Sequence, residues 1–378
     1  MEKYNSADIQ AFKDVWVFCE QRDGELMPVD LELLSEGRRL ADEMGSRLTG
    51  LLLGNHVEKL TDELASYGAD RVVLCEHPLL EVYTTDAYTD VICQMIEKYK
   101  PEAFLLGATN IGRDLGPRCA ARLHTGLCAD CMHLDVDMGI YRQFLRDNST
   151  MDEDRIERVG TVTVGGEKRS IDAEMKMTRP AFGGNLMATI ICPRFRPSMA
   201  TVRPGVLKKN FLKPKDRKEI EVIRESIELY ETALRTHVLE VVKTAKKLLD
   251  LSGADYIVSV GRGIAKDVDL GLRLANELAE TLGGVVGGSR AAIDNGWLDT
   301  DCQIGQTGKI VRPKVYVALG ISGAIQHKVG MQDSECVIAI NKDAHAPIFE
   351  VADYGMNGDL YALVPELIKA IKERKMSQ

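Results

Sequence analysis

The sequence predicts an α/β fold in two domains, and three observations carry that prediction. Short apolar runs alternate with amphipathic stretches of helical period, this alternation occurs twice, and a segment rich in Lys, Arg and Pro lies between the two occurrences. At 378 residues the chain exceeds the usual span of one hydrophobic core, so two units are the natural division. The expected parts are a doubly wound N-terminal domain over 1–206, a basic linker with a helix over 207–252, and a C-terminal domain with a parallel-sheet, Rossmann-like core over 253–378.

In the first domain the runs Val15 to Phe18, Leu48 to Leu53, Arg71 to Leu74 and Ala103 to Leu106 read as strands buried on both faces of a parallel sheet. The stretches Leu31 to Met44, Val57 to Tyr67 and Tyr88 to Tyr99 between them have helical spacing. Residues 128–202 change character. Polar alternation in Thr161 to Val164 and Ile171 to Met177, around the charged interval Asp147 to Arg158, predicts antiparallel strands and a surface insertion. No role is assigned to the interval 147–170. Helical patterns are read through Glu219 to Leu249. The second domain begins with the strand Tyr256 to Val260, followed by a helix over Val268 to Leu282. Short strands at Val285 to Val286, Val315 to Leu319 and Val337 to Ile340 come next, and a last helix covers Leu360 to Lys372.

Composition excludes several classes. Fifty-seven acidic against 48 basic residues give a net charge of -9, which opposes general binding to nucleic-acid phosphates, and the basic run 203–218 reads as a solvated connector. No apolar run is long enough for membrane insertion. The N-terminal residues carry no leader pattern, so a bacterial cytoplasmic location is expected. Nine cysteines, an odd number, fit a reducing compartment. Cys128 and Cys131 have the spacing of half a metal site, but no second pair follows, so they read as free thiols and neither zinc nor an iron-sulfur cluster is expected.

The residues that point to chemistry are glycine-rich turns after apolar strands: Gly261-Arg262-Gly263, Gly287-Gly288-Ser289-Arg290, Gly305-Gln306-Thr307-Gly308 and Gly320-Ile321-Ser322-Gly323. Glycine lets backbone approach a ligand, and amides at strand ends can bind phosphate oxygens, so four such turns predict a nucleotide crevice. The first turn lacks the third glycine of the dinucleotide fingerprint, and Lys309 is followed by Ile310 rather than the Ser or Thr of a Walker loop. A rival reading takes Ser322, in the order Gly-Ile-Ser-Gly-Ala, as the nucleophile of an α/β serine hydrolase with Asp333 and His345. Ala324 replaces the second elbow glycine and no oxyanion-hole motif is present. A third reading is a non-catalytic nucleotide-binding scaffold.

The segment Pro313-Lys314-Val315-Tyr316-Val317-Ala318-Leu319-Gly320-Ile321-Ser322-Gly323-Ala324-Ile325-Gln326-His327, continuing through Gly330-Met331, resembles the signature of electron-transfer flavoprotein alpha subunits. In the same order, Ser289-Arg290-Ala291-Ala292, Gln303 to Gly308, Ala339 to Asp343, Ala346 to Phe349 and Ala352 to Gly355 are similar to that family. So are Gly107-Ala108-Thr109 and Arg179 to Asn185 in the first domain.

The resemblance implies that the C-terminal domain binds FAD. Arg290 would lie beside the isoalloxazine ring as a fixed cation, Thr307 would offer its hydroxyl to flavin N5, and Gln326 with His327 would sit at the pyrimidine edge, His327 donating to flavin O2. Ser289 and Ser322 would bind the pyrophosphate, while Asn341, Lys342 and Asp359 would serve the adenosine half, Asp359 as an acceptor for a ribose hydroxyl. Gln303, Ile304, Gly305, Gln306, Gly308, Gly320, Gly323, Ala324 and Asp343 complete the implied cofactor-binding set. The resemblance also implies an obligate beta subunit, packed on the N-terminal domain, and an acyl-CoA dehydrogenase as redox partner. Some members split electron pairs from NADH between a high-potential acceptor and ferredoxin or flavodoxin through the beta subunit. The segment Glu20 to Leu53 looks more like anaerobic bacterial members than mitochondrial ones.

Overall fold

The computed structural model describes residues 4–181, 186–213, 219–241, 251 and 254–376. Two compact units form, Met1–Val241 and Val242–Gln378.

The first unit is organised by seven parallel strands: β1 (Val15–Cys19), β2 (Leu48–Gly54), β3 (Arg71–Glu76), β4 (Ala103–Gly107), β5 (Leu127–Cys131), β6 (Ser198–Val202) and β7 (Glu221–Arg224), in the order β7-β3-β2-β1-β4-β6-β5. Alternate residues of β1 enter opposite cores. Val15, Val17 and Cys19 pack with Leu33, Leu34 and Leu40 of helix α1 (Pro28–Glu43), whereas Trp16 and Phe18 pack with Val91 and Ile92 of α2 (Thr85–Tyr99) and Leu115 of α3 (Asn110–Arg122). Helices on both faces make the sheet doubly wound, and burial on both sides explains why its strands read as apolar runs. Local chemistry sets the helix ends. Pro28 occupies the first turn of α1, Thr109 Oγ1 accepts from Gly112 N at 3.0 Å at the start of α3, and Lys100 closes α2 in the left-handed region at φ 51°.

Three expectations change here. Residues 128–202 are only partly antiparallel. Leu127–Cys131 and Ser198–Val202 join the parallel sheet, and the antiparallel pairing lies between them in the sequence. That insertion pairs Lys176–Ala181 with His133–Asp135 and Leu186–Ile190, and adds the hairpin Thr161–Val164 with Glu167–Ser170, turned by Gly165 and Gly166 at φ 60° and 89°. The strand expected over Ile171 to Met177 begins at Lys176. Where helix was expected from Glu219, the described part to Val241 holds β7 and a 3-10 turn, Glu231–Ala233. Val222 and Ile223 pair in register with Val72 and Val73, so this edge strand carries the first unit past 206. The remainder of that expectation, 242–249, lies outside the described residues, as does 182–185 of the stretch Arg179 to Asn185.

The second unit carries five parallel strands: β8 (Tyr256–Val260), β9 (Val285–Gly288), β10 (Val315–Leu319), β11 (Val337–Asn341) and β12 (Tyr354–Asn357), in the order β9-β8-β10-β11-β12. One face packs Val258, Val260, Val317 and Leu319 on α4 (Val268–Leu282) and α5 (Leu360–Met376) through Leu274, Leu278, Val364 and Ile368. Asp267 caps α4 by accepting from Leu270 N at 3.0 Å, and Gly283, at φ 78°, ends it. The other face carries loops instead of long helices. Ile257, Tyr316 and Ala318 are covered by Ile304, Val311, Met331 and Ile348. Among the described residues no helix is long and apolar enough to cross a membrane.

Candidate functional site

The carboxyl ends of β8, β9 and β10 meet the loop-covered face of the second unit, and the glycine turns converge there. Gly261 N donates to Leu319 O, Gly263 N to Gly320 O and Ser289 N to Val260 O, all at 2.9 Å. Gly320 lies in the left-handed region at φ 61°, and a Cβ on Gly263 would stand 2.5 Å from Gly320 Cα. Two turns are thus packed backbone against backbone, which only glycine permits.

The crevice in front of them is a cavity of about 380 Å³. Its lining contains the expected Ser289, Arg290, Gln303, Ile304, Gly305, Gln306, Thr307, Gly320, Ser322, Ala324, Gln326 and His327. Gly261, Arg262, Ala291, Asp294 and Ile321 line it as well. Sequence reading singled out Arg262 and Ile321 only as parts of turns and missed Asp294 altogether. The position of Asp294 one helical turn after Arg290 was the available signal.

The expected Gly308, Gly323, Asn341, Lys342, Asp343 and Asp359 stand outside this lining. Local structure accounts for several of them. A Cβ at Gly308 would meet Gln303 O at 2.4 Å, and one at Gly323 would meet Ile348 N at 2.2 Å. Asn341 Nδ2 donates to Ile321 O at 2.9 Å and so supports the cavity wall from behind. Asp359 Oδ1 accepts from Tyr361 N at 3.0 Å at the head of α5, and Asp343 accepts from His345 N at 2.9 Å.

The polar groups of the lining are held in defined states. Gln303 Nε2 donates to Thr307 Oγ1 at 2.9 Å, and Gln306 N donates to Gln326 O at 2.7 Å, joining the loop 303–308 to the turn 324–328. Arg290 is 71% exposed, with Nε 3.4 Å from Asp294 Oδ2. An ion pair that open is weak, so the guanidinium keeps donors for an anionic or electron-rich ligand.

His327 lines the cavity and is held by two partners. Its ring is 5% exposed, Nδ1 lies 3.0 Å from Ile304 O, and Nε2 lies 2.9 Å from Tyr316 Oη. A carbonyl only accepts, so Nδ1 carries the proton. Burial pushes the imidazole down to about 4, against the smaller opposing pull of the Ile304 carbonyl, and the ring is neutral at pH 7. Nε2 is then an acceptor for the Tyr316 hydroxyl.

The lining suits a planar ring with apolar faces and a polar edge. Ile304, Ile321, Ala291 and Ala324 supply apolar surface, and Arg290, Thr307, Gln326 and backbone amides supply the polar partners. The hydrolase reading finds no matching constellation. Asp333 pairs with Arg312 at 3.0 Å, and neither Asp333 nor His345 lines the cavity with Ser322.

Comparison with known proteins decides the family. Residues 15–164 and 158–228 match the electron transfer flavoprotein domain, and 250–332 match the electron transfer flavoprotein FAD-binding domain. The chain is 60% identical over 373 residues, covering 98% of it and 99% of the relative, to the acryloyl-CoA reductase electron transfer subunit beta of Anaerotignum propionicum. It is 47% identical over 368 residues to the electron transfer flavoprotein subunit alpha of Clostridium acetobutylicum, covering 97% and 98%. The chain belongs to the electron-transfer flavoprotein alpha-subunit family. A third relative, 38% identical over 367 residues that cover 97% of this chain and 78% of the relative, is the lactate dehydrogenase (NAD(+),ferredoxin) subunit LctC of Acetobacterium woodii. As a member of this family the chain is an electron-transfer flavoprotein with FAD as its cofactor, and the matched FAD-binding segment contains every residue that lines the cavity.

Proposed function

We propose that this chain is the FAD-bearing subunit of a heterodimer with an electron-transfer flavoprotein beta subunit, and that it passes single electrons to or from an acyl-CoA dehydrogenase. The observation that carries the reading is the cavity at the ends of β8, β9 and β10, whose cation, hydroxyls and glycine turns lie within the FAD-binding segment. The Anaerotignum relative, an acryloyl-CoA reductase electron transfer subunit, favours a CoA-thioester partner.

Bound FAD supplies the redox chemistry, accepting and releasing electrons through its isoalloxazine ring. The chain's own residues bind and tune it. Arg290, which lines the cavity together with Arg262, favours whichever ligand state carries more negative charge, and so favours the reduced one. Thr307 Oγ1 already accepts from Gln303, which leaves its own hydrogen to donate into the cavity. Ser289 and Ser322, with the backbone of Gly320 and Gly305, hold the chain of the cofactor. Asn341, Lys342 and Asp359 would serve the adenosine end. Ile304 and Ile321 exclude water from the ring faces.

The test is co-expression with a beta subunit, purification of the complex, and anaerobic addition of an acyl-CoA with its dehydrogenase. Visible flavin absorbance that bleaches on addition supports the proposal. A colourless complex, or flavin that stays oxidised, overturns it. A second reading adds NADH and ferredoxin or flavodoxin as partners through the beta subunit, and the similarity to the lactate dehydrogenase subunit favours it. NADH-driven ferredoxin reduction that requires the CoA acceptor would separate this reading from simple transfer.

A further inference from the structure

The side chains around the cavity carry charge of both signs. Arg262 and Arg290 are its two arginines, and Asp294 is the one carboxylate among the described lining residues. A carboxylate is out of place beside a ligand that gains electrons, because each added negative charge is repelled by it. Three observations bear on why Asp294 stands there.

Fold stability does not account for it. Asp294 is the last residue of the short helix Arg290–Asp294, and the free carbonyls at that end of a helix disfavour a negative side chain. Its pairing with Arg290 is no strong tether either. A single contact joins them, Nε to Oδ2 at 3.4 Å, and the two side chains are 71% and 63% exposed. Open pairs of that kind contribute little to stability. The contact also uses Nε, so both terminal nitrogens of the guanidinium keep their donors for a ligand. What remains is the field: Asp294 and Arg290 face one cavity one helical turn apart, and whatever charge the cavity receives feels both of them. A bound ring displaces water from between them and strengthens each interaction, though their exposure keeps both well short of their buried strength.

We propose that Asp294 is a potential-setting residue of the flavin site, a counter-charge that offsets part of the arginine field and keeps the reduced cofactor from being held too tightly to pass its electrons on. The inference rests on the proposed FAD reading of the cavity. Its carboxylate acts on the cofactor directly, by repulsion of added negative charge, and not by holding Arg290 in place. Fields of separate charges add, so the contribution of Asp294 is present whether or not Arg290 is.

The test is the midpoint potential of FAD bound to the full-length chain, purified with its beta subunit, under anaerobic stepwise reduction. Asp294→Asn keeps the size and polarity of the side chain and removes its charge. The variant is expected to hold the reduced cofactor about threefold more tightly relative to the oxidised one, a rise of about 28 mV for one electron. Asp294→Glu, which retains the charge, should stay close to wild type. In a chain that already carries Arg290→Gln, adding Asp294→Asn should raise the potential by a similar amount. An unchanged or lowered potential in Asp294→Asn overturns the proposal, and so does a rise that disappears once Arg290 is replaced, since the carboxylate would then act only by orienting the guanidinium. Loss of FAD from Asp294→Asn overturns it as well, because that residue would then hold the site together instead of tuning it. Wild type that binds no FAD sinks the functional reading and this inference with it, whereas failure in flavin-loaded variants sinks the inference alone.

Discussion

Acid should weaken the second unit through His327 alone by an amount that the structure sets. The imidazole is buried, and its folded-state value falls from 6.5 to about 4, chiefly through desolvation. A histidine depressed on folding contributes stability that is fully present above its unfolded value and is lost as pH falls through the folded one. The window therefore runs from about pH 6.5 down to about pH 4. At about 1.4 kcal/mol for each tenfold change in proton concentration, the loss across it is about 3 kcal/mol. His327→Gln keeps one donor for Ile304 O and one acceptor for Tyr316 but cannot take up a proton. The assay is urea unfolding read by fluorescence of Trp297, with the contribution of Trp16, which lies in the first unit, taken from a Trp297→Phe chain. The stability difference between wild type and His327→Gln should be nearly constant above pH 7 and should move by about 3 kcal/mol against wild type as pH falls to about 4. Parallel curves for the two proteins would refute the burial argument.

Gly263→Ala places a methyl group 2.5 Å from Gly320 Cα and must spread the two turns, so retention of FAD through gel filtration should fall by at least about tenfold while the first unit's urea transition stays in place. Arg196, 5% exposed in its side chain, pairs with Glu102 and, at 3.0 Å, with Glu174. Arg196→Met strands two largely buried carboxylates and should cost about 3–5 kcal/mol at pH 7 in urea unfolding. Asp30 is fully buried, and burial, followed by the charge of Glu20, pushes its carboxyl well above the usual range. Its contribution is fully present below the unfolded value of 3.8 and drains away as pH rises, so Asp30→Asn should raise the unfolding midpoint near pH 8 relative to wild type, with the gap closing as pH falls toward about 4.

The sheet strands were legible where two-sided burial makes them continuously apolar, as in Val15–Cys19 and Val315–Leu319, and the helix Val268–Leu282 was legible from its apolar stripe and its Asp267 and Gly283 ends. The misread segments have weaker patterns. Ser198–Val202 carries Ser198 and Thr201 into a fully buried strand, and Glu221–Arg224 sets two apolar residues between charges, which alternation alone assigns equally well to a helix edge. Much of the site was legible because glycine turns after strands announce a crevice. What escaped is tertiary. Asp294 reaches the cavity only through the way the short helix Arg290–Asp294 packs. The partners of His327, Tyr316 eleven residues earlier and Ile304 twenty-three residues earlier, come together only in the folded sheet.

The central claim is that the cavity bearing Arg290 holds an FAD whose reduced state is favoured by that cation. The most direct test is the midpoint potential of FAD bound to the purified complex, wild type against Arg290→Gln, under anaerobic stepwise reduction. One FAD for this chain, with a potential lowered in the variant by about 59 mV for each tenfold loss in preference for the reduced state, is the predicted result. A chain that carries no FAD, or a variant whose potential matches wild type, would contradict the account.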